Sequence, residues 1–487
     1  VSARTKGDDV SEDLRDAVLV DPRHVYVADS RRRDPLTLET VWMLGEEGRA
    51  VHWVGFEELA ARRRGNAGDP AADHARAVRE ARALFTQAAA LHATDLHLRL
   101  GGDRTDVLVR LHGELRALLQ TTRYEGERLI RAIYGTMSDV AEPTYSPLEP
   151  QDARVARSEY LPPGVHSLRV ATGPTVAGAQ MVVRFLYEDA LDVPADADAA
   201  RVIERLGYDG ASGALLLEAL ERPGGLLVVA GPTGSGKSTT LKYLLEALHR
   251  HRPGLNIQSL EDPPEYPIRG VVQVPVLGEG AVDRRAAIRT YLRHALRVDP
   301  DVLMIGEIRD RETAALAVEA ALTGHQVWST VHANDADTVT ARLGEKLAGT
   351  GWGRNPRILE DPSVLHTVVY QRLLPRLCAH CRHLCPLSDA VTLPALTRRR
   401  LADAGFAPER PVAVRRPEGC DACHGVGVDG LLVVADVRRG GQDQSGATTA
   451  ALRAHALALV VAGRVDPLDA ERAVGPLHPA HGGGRVP

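Results

Sequence analysis

Leu226-Leu227-Val228-Val229-Ala230 runs straight into Gly231-Pro232-Thr233-Gly234-Ser235-Gly236-Lys237-Ser238-Thr239, and the order of these two stretches decides the fold. The first is an apolar run of the kind that forms a strand buried on both faces, and the second is a complete G-x-x-x-x-G-K-[ST] phosphate-binding loop. Beyond it, residues 239–248 carry leucines at helical spacing, so the loop lies between a strand and a helix. Gly231, Gly234 and Gly236 let the backbone turn successive N–H groups toward phosphate oxygens, and the helix N-terminus adds its positive end. Lys237 is placed to reach the β- and γ-phosphates, and Ser238 to hold Mg2+ through its hydroxyl. The residue type at 237 is itself informative. Of 59 basic residues only four are lysine, at 6, 237, 242 and 346, in a chain otherwise committed to arginine. A compact ammonium enters a phosphate cradle in a way that a planar guanidinium does not.

The chain has 487 residues, 44% hydrophobic and 25% charged, which is globular composition with room for about three domains. It holds no apolar stretch near the ~20 residues that span a bilayer, and its start lacks the apolar segment of a signal peptide. The expectation is a cytoplasmic protein that meets a membrane only through partners. A net charge of −5 gives no basic excess of the kind nucleic-acid binders show, so no direct nucleic-acid contact is expected. The arginine triplets at 31–33, 62–64 and 398–400 have acidic residues close by and read as solvated surface.

Three further apolar runs deliver polar residues at their C-terminal ends. Leu255-Asn256-Ile257-Gln258-Ser259-Leu260 leads into Glu261-Asp262-Pro263-Pro264-Glu265, and Val302-Leu303-Met304-Ile305 into Gly306-Glu307-Ile308-Arg309-Asp310. Gln326-Val327-Trp328-Ser329-Thr330-Val331 leads into His332-Ala333-Asn334-Asp335. In a parallel α/β sheet these ends face the crevice where ligands bind, so all converge with the loop on one nucleotide. Glu307 has the position of a Walker B carboxylate, an oxygen ligand for Mg2+ directly or through water. Glu261 and Glu265 are the candidates for orienting or deprotonating the attacking water. His325 and His332 flank the last of these strands and are read as sensors of the γ-phosphate.

Together these segments resemble the type II secretion and type IV pilus assembly ATPases of the secretion ATPase superfamily, over roughly residues 77–475. Glu261-Asp262-Pro263-Pro264-Glu265 is similar to that family's Asp box, residues 299–310 to its atypical Walker B, and residues 323–335 to its His box. The resemblance implies a RecA-like P-loop core that binds ATP and Mg2+, with Glu265 as catalytic glutamate and Glu307 as Walker B glutamate. It also explains Ala93-Thr94-Asp95-Leu96-His97-Leu98-Arg99, Val109-Arg110-Leu111-His112-Gly113-Glu114-Leu115 and Gln151-Asp152-Ala153-Arg154 as parts of a small α+β, PAS-like domain ahead of the core. Arg169 and Arg184 match arginines that approach the phosphates when the two domains close, a device worth about 10³ to 10⁵ in rate. The chain departs from the pattern at Ala333, where threonine is usual, and at Pro264, where an aliphatic residue is usual; neither removes a charge.

Cys378-Ala379-His380-Cys381 and Cys420-Asp421-Ala422-Cys423 are two C-x-x-C knuckles, the donor set of a closed, structural Zn2+ site. Cys385 reads as a buried or spare thiol. Assembly ATPases of the family carry such an insertion, and Val369–Cys378 with Gln326–Trp328 resembles the branch serving thin conjugative pili.

The domain expectations are a short α/β module at 1–76, for docking a partner or as a packing cap, the PAS-like domain at 77–190 and a linker at 191–202. The ATPase core follows at 203–375, a zinc subdomain at 376–437, a helical region at 438–475 and a disordered tail at 476–487. Within the first module, strands are expected at 25–27 and 51–54 and helices over 38–44 and after Phe56. The family implies a homohexameric motor docked on an inner-membrane platform protein, powering assembly of a pilus or pseudopilus. A nucleic-acid translocase built on the same core and a nucleotide-binding scaffold without hydrolysis are the alternatives.

Overall fold

The computed structural model describes residues 14, 17–21, 23–32, 34–46, 48–55, 58–59, 70–139, 144–188, 193–194, 196–276, 280–355, 357–441 and 447–477. The chain divides into two compact units, residues 1–185 apart from the turn at 111–113, and residues 186–487 with that turn.

In the first unit, β1 (Val18–Val20), β2 (His24–Ala28) and β3 (Ala50–Val54) form a three-stranded sheet. Helix α1 (Pro35–Glu46) crosses from β2 to the parallel β3 and buries Thr37, Thr40, Val41 and Leu44, a 3.6-period stripe, toward a core of Val25, Val27 and Val54. The strand at Val18–Val20 was not anticipated, being too short to show alternation. The helix expected after Phe56 falls almost wholly outside the described residues.

The second sheet of this unit follows α2 (Pro70–Ala90). Its strands are β4 (Asp95–Leu100), β5 (Arg104–Leu111), β6 (Glu114–Thr122), then, after α3 (Arg123–Ala132), β7 (Gln151–Val155), β8 (Val165–Thr175) and β9 (Gly178–Tyr187), in the order β6-β5-β4-β9-β8-β7. Alternation sets the faces: on β4, Leu96, Leu98 and Leu100 are buried while Arg99 is exposed. Thr122 and Glu125 close a capping box that starts α3 at a defined residue.

The second unit opens with α4 (Ala199–Leu206) and α5 (Gly210–Leu220). Residues 199–202, assigned above to the linker, are therefore helical: the Asp198 carboxylate accepts from Arg201 N and starts the helix, and Gly207 in the left-handed region ends it. There follow β10 (Gly225–Ala230), α6 (Lys237–His251), β11 (Ile257–Glu261), β12 (Val271–Pro275), α7 (Gly280–Ala295), β13 (Val302–Ile305), α8 (Arg311–Leu322), β14 (Gln326–Val331), α9 (Asp337–Leu347) and β15 (Leu365–Leu377). After β16 (His383–Pro386), α10 (Ala395–Asp403) and β17 (Pro411–Val414), the chain returns through β18 (Val428–Arg439) and ends in α11 (Ala447–Val461) and α12 (Pro467–Val474).

The seven-stranded sheet has the order β12-β11-β13-β14-β10-β15-β18, parallel except for β18 against β15. Its central strands are buried on both faces, which is why they read as unbroken apolar runs. On β10 the side chains divide between two cores: Leu226, Val228 and Ala230 join one, Leu227 and Val229 the other. This is the doubly covered α/β layer that the strand-loop-helix order predicted. The last residues of the range 376–437 belong to this layer as well, because β18 is a sheet strand; β16, α10 and β17 make up the inserted lobe. At the other end, Leu477 is buried and its N–H donates to Glu471, so the packed chain runs past 476; the rest of the expected tail lies outside the described residues.

Candidate functional site

The loop after β10 is shaped by three glycines with positive φ: Gly231 (152°), Gly234 (77°) and Gly236 (82°). At Gly231 a side chain is excluded, since its Cβ would lie 2.5 Å from the Gln371 carbonyl oxygen and 2.5 Å from Ser235 Oγ. Pro232, Thr233 and Gly234 form the exposed crest, while Ser238 and Thr239 are half-buried in the first turn of α6. Lys237, the first residue of α6, folds back so that Nζ donates to the Gly231 and Pro232 carbonyls, each at 3.0 Å. Burial pushes the pKa of this ammonium down, and the carboxylates of Glu307 and Glu265 act on it in the opposite direction. Ser235 Oγ is buried with no hydrogen-bond partner among the described residues. A helix N-terminus opened by a loop whose first glycine admits no side chain, with an orphaned buried hydroxyl and a buried lysine, fits a magnesium-bound nucleotide.

The strand ends arrive as their sequence order implied. Glu307 follows β13 and is held on both oxygens: Arg309 Nε donates to Oε2 at 2.8 Å, and His332 Nε2 lies 3.4 Å from Oε1. The Arg309 guanidinium also lies 3.5 Å from Asp262 Oδ2, and Lys346 Nζ donates to its carbonyl at 2.6 Å. Arg309 stood inside a quoted motif with no role assigned; Lys346 was marked only by the rarity of lysine.

The two glutamates, both candidates by their position at the end of β11 until the family resemblance singles out Glu265, have different surroundings. Glu261 is buried and accepts from Ser259 Oγ at 2.7 Å and from Gln273 Nε2, on the neighbouring strand β12, at 2.9 Å. Burial pushes its carboxyl up, against these hydrogen bonds. It ties β11 to β12, whereas Glu265 is half-buried and acts on Lys237.

His325 is not brought to this site within the chain. It precedes β14 while His332 follows it, and six strand residues at about 3.3 Å each put roughly 20 Å between them. Its Nδ1 lies 3.0 Å from Thr323 Oγ1 and its carbonyl accepts from Gly225 N, at the entry of β10 and opposite the loop. Arg169 and Arg184 stand exposed on the six-stranded sheet of the first unit. Arg184 Nε donates to the buried Asp95 carboxylate at 2.9 Å, and Arg169 is in register with Arg154.

At the far end of β15, Cys378, Cys381, Cys420 and Cys423 bring four Sγ atoms within 4.8 Å of one another. Separations are 3.9 Å for Cys378–Cys420, 3.7 Å for Cys381–Cys423 and 3.8 Å for Cys420–Cys423. Thiolates around a zinc ion at ~2.3 Å form a tetrahedron with edges of about 3.8 Å, while a disulfide needs ~2.0 Å. The Cys423 sulfur also accepts from the N–H groups of Cys420 (3.2 Å) and Gly427 (3.1 Å), as a thiolate would. The donor set fits structural zinc. The long insertion between the knuckles is closed by β15 and β18, paired from Thr367↔Arg439 to Leu377↔Val428. Cys385 is buried on β16, apart from this cluster.

Comparison with known proteins agrees with this arrangement. The chain is 34% identical over 363 residues to the putative type II secretion system protein E of Escherichia coli K12, covering 74% of this chain and 66% of that protein. It is 33% identical over 366 residues to the type IV pilus assembly ATPase PilB of Acinetobacter baylyi, covering 73% of this chain and 56% of that one. It thus spans less than two thirds of the length of these relatives. The solved ATPase DotB of Yersinia pseudotuberculosis shares the fold, with a TM-score of 0.51 at 18% identity over 80% of this chain and 90% of its own. The family model of the type II/IV secretion system proteins matches residues 70–463, most of the length, and the chain belongs to that family.

Proposed function

We propose that this chain is the subunit of a motor ATPase that hydrolyses ATP to drive assembly of a type IV pilus or a type II secretion pseudopilus. The observation that carries it is the glycine-shaped phosphate loop between β10 and α6, with Lys237 folded into it, at the sheet edge where β13 and β14 bring Glu307 and His332 together. The loop N–H groups of residues 231–239 bind the phosphates, with Lys237 reaching the β- and γ-oxygens. Ser238 and Glu307 would hold Mg2+, which supplies charge neutralisation at the phosphates. Glu265 accepts the proton of a water that attacks the γ-phosphorus as the bond to the ADP oxygen breaks. His332, 3.4 Å from Glu307, is placed to report the γ-phosphate to the Walker B turn.

Arg169 and Arg184 are the arginines that the family resemblance assigns to the phosphates. The names of the relatives favour pilus assembly and secretion as the work done. A homohexamer seated on an inner-membrane platform protein, at the cytoplasmic face of the membrane, is the assembly that the family resemblance implies for such a motor. No helix among the described residues is long and apolar enough to cross a membrane.

The test is phosphate release from Mg–ATP by the purified chain, with Glu265→Gln beside it. Loss of at least ~100-fold in the variant with nucleotide binding retained is the expected result. A parent that releases no phosphate, or a variant as active as the parent, overturns the reading.

A further inference from the structure

We infer that Gln371 is a positioning residue for the phosphate loop, an inference that rests on the nucleotide-binding part of the function proposed above. Gln371 is fully buried on β15, next to Tyr370, which is in register with Ala230 at the end of β10. Its amide has a single orientation that satisfies its neighbours. The Ser235 carbonyl can only accept, so Nε2 donates to it at 2.7 Å, leaving Oε1 to accept from the Tyr208 hydroxyl at 2.7 Å and the Thr240 hydroxyl at 3.1 Å. One side chain therefore joins the loop, the first turn of α6 and the connection between α4 and α5. The backbone takes part too: the Gln371 carbonyl is what a Cβ at Gly231 would strike, and a Cβ at Gly236 would stand 3.4 Å from Nε2.

The consequence for phosphate binding follows from peptide geometry. In a trans peptide the C=O and the next N–H point in opposite directions. Pinning the Ser235 carbonyl against β15 turns the Gly236 N–H away from β15, to the side on which the loop closes around a phosphate. Without the Gln371 donor the same peptide is free to flip, and one of the N–H groups that binds phosphate is no longer aimed. Gln371 touches no reacting atom; it acts through the peptide it holds.

The experiment compares Gln371→Met with Tyr208→Phe in the full chain. The first removes the donor to Ser235 with little change of volume. The second removes one hydroxyl from Oε1 and leaves the Ser235 bond in place. Both remove buried hydrogen bonds and lower the melting temperature measured without nucleotide. For Mg–ADP measured by calorimetry, Gln371→Met raises Kd by at least ~10-fold, whereas Tyr208→Phe changes it by less than about 3-fold. In turnover, Gln371→Met raises KM for ATP while kcat at saturation stays within about 5-fold of the parent. Should Gln371→Met not fold, Gln371→Asn, which withdraws the amide by one methylene, gives the same readout. Equal effects of the two variants on affinity, or none from Gln371→Met, overturn the inference alone. A parent that binds no Mg–ADP overturns the nucleotide reading itself.

Discussion

His332 lies 3.4 Å from Glu307, Nε2 to Oε1, although the two residues follow different strands. They meet because β13 and β14 are neighbours in parallel register, Ile305 opposite Ser329, so that both strands end at one edge of the sheet. His332 opens the segment leading to α9, and Lys346 at the far end of that helix returns to the Arg309 carbonyl.

Replacing Glu307 with Gln keeps the shape but weakens the oxygen ligand. Phosphate release falls by at least ~100-fold, while a fluorescent ATP analogue still binds within about 10-fold of the parent. His332→Ala, which leaves the carboxylate, costs less, about 10-fold in kcat.

Gly231→Ala places a methyl 2.5 Å from both the Gln371 carbonyl oxygen and Ser235 Oγ. Denaturant unfolding should show a loss of roughly 1–3 kcal/mol, and nucleotide affinity should fall because the loop must shift to admit the methyl. Unchanged affinity would mean that the loop tolerates a different path.

Cys420→Ser removes one of four thiolates. Metal analysis of the parent should show one zinc per chain and of the variant far less, and limited proteolysis should open the variant between residues 378 and 427. If the parent carries no zinc after preparation without chelators, the cysteine cluster has another use.

His366 is buried, and burial pushes its pKa down from 6.5 to about 4. The folded chain keeps the ring neutral where the unfolded chain protonates it. Stability is therefore full above pH 6.5 and lost as pH falls toward 4, by about 3 kcal/mol from this group at the acid limit. His455, also buried with a lowered pKa, adds in the same direction. In His366→Gln the melting temperature should fall less steeply over that window; an identical slope would assign the acid sensitivity elsewhere.

What the chain disclosed unaided is the chemistry set out along it. The glycine loop with Lys237 and Ser238, the carboxylates and histidines bordering apolar runs, and the paired C-x-x-C knuckles are all local patterns, and local patterns survive without knowledge of the fold. Which end of a strand a residue occupies is local too, and the position of His325 before β14 could have been weighed on that ground. Side-chain direction and strand order are not local. That Glu261 turns to Gln273 depends on β12 lying beside β11. That Gln371 lies beneath the loop depends on β15 pairing with β10, far apart in sequence. Strand pairing and burial are decided by the whole core at once, because each strand buries its two faces against helices that come from elsewhere in the chain, and no window of sequence contains that information.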